Sequence, residues 1–216
     1  MKNVVILCGE SRTYKQTCQN FLDAVKEWDV YIVTYAECYN EQIKNIYNPK
    51  NVCLISRSEI EDEKKRLHKS WLYNKWSNTK KGIMLTGYIS QTYMWQKGLK
   101  MIRQIDYHLI CKMRFDILIN SGIAFDKLDI DTIHADKFVH PPFKNQLYYL
   151  CDWWYVSGKD NMELICNFFD KILTFKSELL INNVGKYVNL ENVIGFYIQE
   201  QLKIKINKEY SFKLIR

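Results

Sequence analysis

The 216-residue sequence predicts a single α/β domain with a mainly parallel central sheet flanked by helices, and three observations carry that prediction. Short β-rich apolar runs alternate with segments whose apolar residues recur at helical spacing, the pattern of successive βαβ units. The length suffices for one sizeable core and favours one domain over two. At 47% hydrophobic and 25% charged residues the composition is ordinary for a globular protein and unlike that of a disordered chain.

The elements follow in order. Residues 4–8 (VVILC) read as a strand, 9–13 as a turn, and Phe21, Leu22 and Val25 recur at helical spacing. Residues 28–35 (WDVYIVTY) and 51–56 (NVCLIS) supply two further strands, with Pro49 blocking continuation of the helix between them. The charged stretch 58–69 is expected to form an exposed helix, acidic early and basic late to suit its dipole, with Ser58 and Glu61 as a capping box. A long helix is predicted over 82–105, its apolar face made by Met84, Ile89, Tyr93, Trp95, Leu99 and Ile102. Residues 111–120 (CKMRFDILIN) then read as a buried strand that Lys112, Arg114 and Asp116 interrupt. Buried charges are rare unless paired or bound to something, so this strand should end where those charges are used.

The second half predicts strands at 137–142, closed by prolines, and at 152–158, ending in a glycine turn. Helical periodicity covers 161–173 and 190–202, with Asn189 placed to cap the latter, and two short strands finish the chain. On a strand Trp153 and Trp154 point to opposite faces, so only one can pack in the core while the other offers a flat apolar surface to a ligand, the plainer alternative being that both are structural.

Composition excludes several classes. The seven cysteines are scattered without a C-x-x-C pair, which fits small buried hydrophobes in a reducing compartment rather than a disulfide framework. The four histidines lack zinc spacing. The net charge of +7 allows an anionic partner, but the lysines are dispersed and no nucleic-acid signature is present. No apolar run is long enough for a membrane span or a signal-peptide core, so a cytoplasmic location is expected.

In a parallel α/β sheet, ligands bind beyond the carboxyl ends of the strands. Two charged features fall there, GESR (9–12) after the first strand and RFD (114–116) after the fourth. Gly9 permits close backbone approach and Arg12 offers a donor fork for phosphate, although a turn glycine and a surface arginine would look the same. The loop matches neither the P-loop nor the dinucleotide fingerprint. Asp116 is a hard oxygen donor suited to magnesium or manganese; the alternative is an internal ion pair with Arg114 or Lys112, which share its strand face.

VILCGESRTY, WDVYIVTY, YNPKN, DYHLICKMRFDILIN, DWWYVSGKDNME and NLENVIGFYIQE, in that order, resemble blocks of a group of small GT-A-like glycosyltransferases. These occur in bacterial surface-polysaccharide clusters and large DNA viruses, and include an enzyme that glycosylates a chlorella-virus capsid protein. The resemblance implies a donor half over about 1–120 and an acceptor half over about 121–216. It also implies a nucleoside diphosphate sugar donor, UDP-linked, a glycan or glycoprotein acceptor, and Mn2+ or Mg2+ as cofactor. For a virus-encoded enzyme the compartment would be the host cytoplasm.

Carried over by position, Gly9, Arg12 and Thr13 belong to the donor-nucleotide loop. Arg114 and Asp116 replace the Asp-x-Asp motif, with Asp116 on the metal and Arg114 standing where an acid is usual. Asp152 matches the acceptor-side acid and Glu191 another recurrent acid. In an inverting transfer a carboxylate takes the acceptor proton, with Asp152 the first candidate and Glu191 the second. The plainer alternatives are a turn cap for Asp152 and a helix-dipole acid for Glu191. Two other functions remain: a sugar nucleotidylyltransferase, for which one glycine is too little of the signature, and a noncatalytic basic module for polyanions.

Overall fold

A computed structural model describes residues 2–68, 74, 83–119, 123–137, 148, 150–171 and 189–215. The chain opens with strand β1 (Val4–Cys8), helix α1 (Tyr14–Ala24), β2 (Asp29–Tyr35), α2 (Glu41–Tyr47), β3 (Asn51–Ile55) and α3 (Arg57–Leu67). The long α4 (Ile83–Ile102) leads into β4 (Leu109–Arg114) and β5 (Ile117–Ile119). After β6 (Thr132–Asp136) and β7 (Trp154–Gly158) come α5 (Lys159–Cys166), α6 (Phe168–Lys171) and α7 (Leu190–Phe196), the last running into a π-helical turn (Tyr197–Gln201). Strands β8 (Lys205–Tyr210) and β9 (Phe212–Leu214) follow.

Seven strands form one sheet in the order β3-β2-β1-β4-β7-β6-β8, and β5 pairs with β9 in a separate ribbon. The β3-β2-β1-β4 half is parallel, as the alternation of strands and helices predicts. Strand β7 enters antiparallel to both β4 and β6. Because successive side chains of a strand face opposite ways, β1 builds two core layers. Val4, Ile6 and Cys8 pack with Ile89, Trp95 and Leu99 of α4, while Val5 and Leu7 pack with Phe21 of α1 and Ile43 of α2. Gly98 brings α4 onto β1: a Cβ there would lie 2.5 Å from the Ile6 side chain.

Several expectations need correction. The capping box of α3 is Ser56 with Glu59, not Ser58 with Glu61; Ser56 has the extended backbone of a strand end, and Ser58, one residue into the helix, only bonds the Ser56 hydroxyl. A strand that the sequence did not single out forms at Thr132–Asp136; of the strand expected at 137–142, residues 138–142 lie outside the described set, as does the side chain of Met84. The strand at 111–120 is two strands, broken by a turn at Phe115 and Asp116, so Asp116 leaves the strand face that it was expected to share with Lys112 and Arg114. The 161–173 helix breaks at Asn167. Of the two tryptophans, Trp154 is fully buried, its ring centroid 4.5 Å from that of Phe212, whereas Trp153 stands in the turn before β7, half-buried against the same core cluster and lining a cleft, so the two do not alternate on one strand as expected. Six cysteines in the described residues are free thiols.

Candidate active site

A cleft of about 690 Å³ opens at the carboxyl ends of β1, β2 and β4, where a parallel sheet with crossover helices leaves loops and helix N-termini converging. Its floor begins at Gly9, whose φ of +114° is accessible to glycine and strained for any other residue. The loop is pinned on both sides, since Gly9 N–H donates to the Val33 carbonyl at 3.1 Å and the Thr34 hydroxyl donates to the Gly9 carbonyl at 2.7 Å. Arg12 lines the cleft, paired with Glu10 at 2.9 Å. Thr13 does not line it; it sits at the start of α1 with its hydroxyl oxygen buried.

Sequence reasoning missed Arg57 and Tyr35. Arg57, the first residue of α3, donates to Glu37 at 2.7 Å and to Glu10 at 3.2 Å, and its guanidinium stacks 4.3 Å from the Tyr35 ring centroid. Both residues stand at strand ends, β2 for Tyr35 and just past β3 for Arg57, so the carboxyl-edge rule that selected Gly9 selects them too. Three arginines thus line one cleft: Arg12, Arg57 and Arg114.

Arg114 closes β4 and spans the Asp116 carboxylate with both arms of its fork, Nε to Oδ1 at 2.8 Å and Nη2 to Oδ2 at 2.6 Å. Burial disfavours the Arg114 charge, but the Asp116 contact more than offsets it and raises the guanidinium pKa. The turn between them is held from two directions: the Thr17 hydroxyl donates to the Phe115 carbonyl at 2.6 Å, and Ile215 N–H donates to the Asp116 carbonyl at 2.8 Å. A divalent ion at Asp116 would have to displace this fork. Among the described residues no group of three metal-ligating side chains stands together. As arranged, the Asp116 carboxylate is taken by Arg114, and Asp116 is the residue that would hold an ion shared with a bound diphosphate, in exchange for that fork.

Asp152 and Glu191 meet in the same cleft from opposite ends of the second half. Asp152 is buried in the turn that enters β7, and its carbonyl accepts from Gln91 Nε2 at 3.0 Å and from Lys112 Nζ. Glu191 occupies the first turn of α7, which Asn189 caps by accepting from Asn192 N–H, as the sequence predicts. Its Oε2 is buried without a hydrogen-bond partner. Burial, reinforced by the Asp152 charge, pushes the Glu191 carboxyl up to about 8. The same surroundings raise the pKa of the Tyr88 phenol, by burial first and then by Glu191 and Asp152.

No family model and no curated protein matches the sequence. Solved structures do match. Mouse xyloside xylosyltransferase 1 in its apo form aligns over 96% of this chain and 84% of its own, at a TM-score of 0.51 and 9% identity. The fold is that of a GT-A glycosyltransferase. The galactosyltransferase LgtC with donor and acceptor sugar analogues aligns over 90% and 70% of the two chains, at TM-score 0.48 and 12% identity. GlyE of Streptococcus pneumoniae TIGR4 aligns over 96% of this chain and 45% of its own, at TM-score 0.43 and 8% identity. On this GT-A fold, among the described residues, no helix is long and apolar enough to cross a membrane.

Proposed function

We propose that this chain is a glycosyltransferase that moves a sugar from a nucleoside diphosphate sugar, UDP-linked, to a hydroxyl of a glycan or glycoprotein. The reading rests above all on one cleft holding both an arginine-lined side and a buried acid pair, at the carboxyl edge of a GT-A sheet. Arginine forks match phosphate geometry, and each of the three has donors for a diphosphate: Arg114 uses two of its five N–H groups on Asp116. The exposed Arg57 guanidinium, stacked on the buried Tyr35 ring, offers a planar surface on which a base can stack.

The chemistry divides between the two acids. The acceptor hydroxyl attacks the anomeric carbon while Asp152 takes its proton; the bond from that carbon to the diphosphate oxygen breaks, and the electron pair leaves with the nucleoside diphosphate. Glu191, protonated at neutral pH, acts as a hydrogen-bond donor to the sugar or acceptor rather than as a second base. Positioned arginines stabilise the departing charge, which makes orientation and electrostatics the main sources of rate.

The test is a thermal-unfolding scan against UDP, GDP, dTDP and CDP, each with EDTA and with Mn2+, since a ligand of the folded state raises apparent stability. Stabilisation by one nucleotide supports the reading and names the base. If Mn2+ is required and Asp116→Ala abolishes the response, Asp116 exchanges Arg114 for an ion on binding, as the family resemblance implies. Indifference to all four nucleotides, with salt-sensitive binding to a polyanion, would replace the transferase by a binding module.

A further inference from the structure

Strand β4 carries a charge that the proposed reaction does not use. Lys112 is 1% exposed, among the largest fully buried side chains of the protein. Its ammonium donates to the Asp152 carbonyl and lies 3.9 Å from the ring centroid of Trp95 on α4 and 5.5 Å from that of Tyr155 on β7. The charged and titratable groups around it are Cys8 on β1, Arg114 on its own strand, and Cys151 and Asp152 in the turn before β7. Burial pulls the Lys112 pKa down to about 7, against the pull of Asp152, so the surroundings disfavour the very charge they enclose.

An ammonium in such a place is poor material for stability. Its bonded partner is a backbone carbonyl, and two aromatic faces and the nearby Asp152 charge supply the rest of its attraction. Even a paired buried charge is weak evidence of a stabilising role, because desolvation offsets much of the attraction. What Lys112 does accomplish is local. The residue whose carbonyl it grips is the one whose carboxyl serves the cleft, and Gln91 grips the same carbonyl from α4. Asp152 stands in a turn rather than in a strand, so the ladder between β4 and β7, which begins at Met113 and Trp154, does not fix it. Two side-chain donors on one carbonyl do that instead.

We propose that Lys112 is a positioning residue for Asp152, anchoring its carbonyl against the Trp95 and Tyr155 rings and so fixing the turn that presents the Asp152 carboxyl to the cleft. The inference rests on the glycosyl-transfer reading. It also gives the strand at 111–120 a reason to carry a lysine: the charge is used beneath the site, not in it.

The test compares the parent with Lys112→Met, which keeps length and volume without charge. The reaction followed is release of nucleoside diphosphate from UDP-, GDP- and dTDP-hexoses with water as acceptor, beside calorimetric titration with the nucleotide. Lys112→Met is expected to bind nucleotide with the same Kd and KM below its melting temperature, while kcat falls by about 10-fold or more, the cost of a base displaced by a fraction of its reach. A parental kcat overturns the proposal, as does a loss of kcat that Kd and KM follow in step. If Lys112→Met does not fold, Gln91→Leu decides: a lower kcat at constant Kd and KM supports anchoring of the carbonyl, and an unchanged kcat refutes it. Absence of both turnover and nucleotide binding in the parent overturns the transferase reading itself, whereas a turning-over parent with an equally fast Lys112→Met removes only the role of Lys112.

Discussion

A carboxyl that stays protonated at neutral pH is a different reagent from a carboxylate, and Glu191 is made into one by burial and by its neighbour Asp152. Between the ordinary glutamate pKa and about 8 the folded chain holds a proton at Glu191 that the unfolded chain releases. The folded state therefore binds more protons over that window, and its stability declines as pH rises through it. Glu191→Gln, neutral at every pH, is expected to remove that decline. Urea denaturation at pH 5, 6.5 and 8 should show the variant gaining on the parent at each step, and parallel stabilities would contradict the raised pKa. The acid itself was singled out in the sequence by the family resemblance, its place at a helix start being the plainer alternative; its protonation was not legible, since burial is a property of the assembled core. The same holds for Asp116, whose pairing with Arg114 was one of two readings open from the strand pattern. Lys112 was legible as an anomaly, but its destination lay 40 residues away in a turn with no signature of its own.

Among the elements, α3 shows how two overlapping signals are resolved. Ser-x-x-Glu occurs at 56–59 and again at 58–61, and propensity alone ranks them equally. The strand before the helix decides, because β3 leaves Ser56 extended, which is the backbone an N-cap needs. Ser56→Ala is expected to cost about 1 kcal/mol and Ser58→Ala less than about 0.5 kcal/mol in chemical denaturation. Equal losses would mean that the second box also forms. Strong periodicity located α4 and α7 to within a few residues, whereas it ran through the break at Asn167. The glycine of α7 had no visible purpose in the sequence; in the fold, a Cβ on Gly195 would stand 1.7 Å from the Tyr148 carbonyl oxygen, so this glycine lets the helix that carries Glu191 settle against the chain at Tyr148.

For the whole molecule, the alternation of strands and helices conveyed the parallel half of the sheet but not the reversal at β7. A strand's own residues look alike whichever way it runs, and its neighbour is chosen by packing over long sequence distances. That reversal joins the two halves of the chain, since β4 pairs with β1 on one side and with β7 on the other. A fragment of residues 1–120 would leave the buried β4 edge unpaired, and is expected to be insoluble or unable to bind nucleotide. The full chain should unfold in one transition by circular dichroism and by tryptophan fluorescence. A soluble, nucleotide-binding fragment would show instead that the halves fold independently.

The ribbon of β5 and β9 has a temporal meaning as well. Phe212 to Leu214 pair with Ile117 to Ile119, and the next residue, Ile215, holds the carbonyl of Asp116. The turn beside Arg114 is thus fastened by a stretch made about a hundred residues after it. A ribosome delivers that fastener only after the intervening hundred residues, so through that interval a nascent chain holds the turn by Thr17 alone, and a premature stop before Phe212 leaves the arginine in place with one of the two ties on its turn missing.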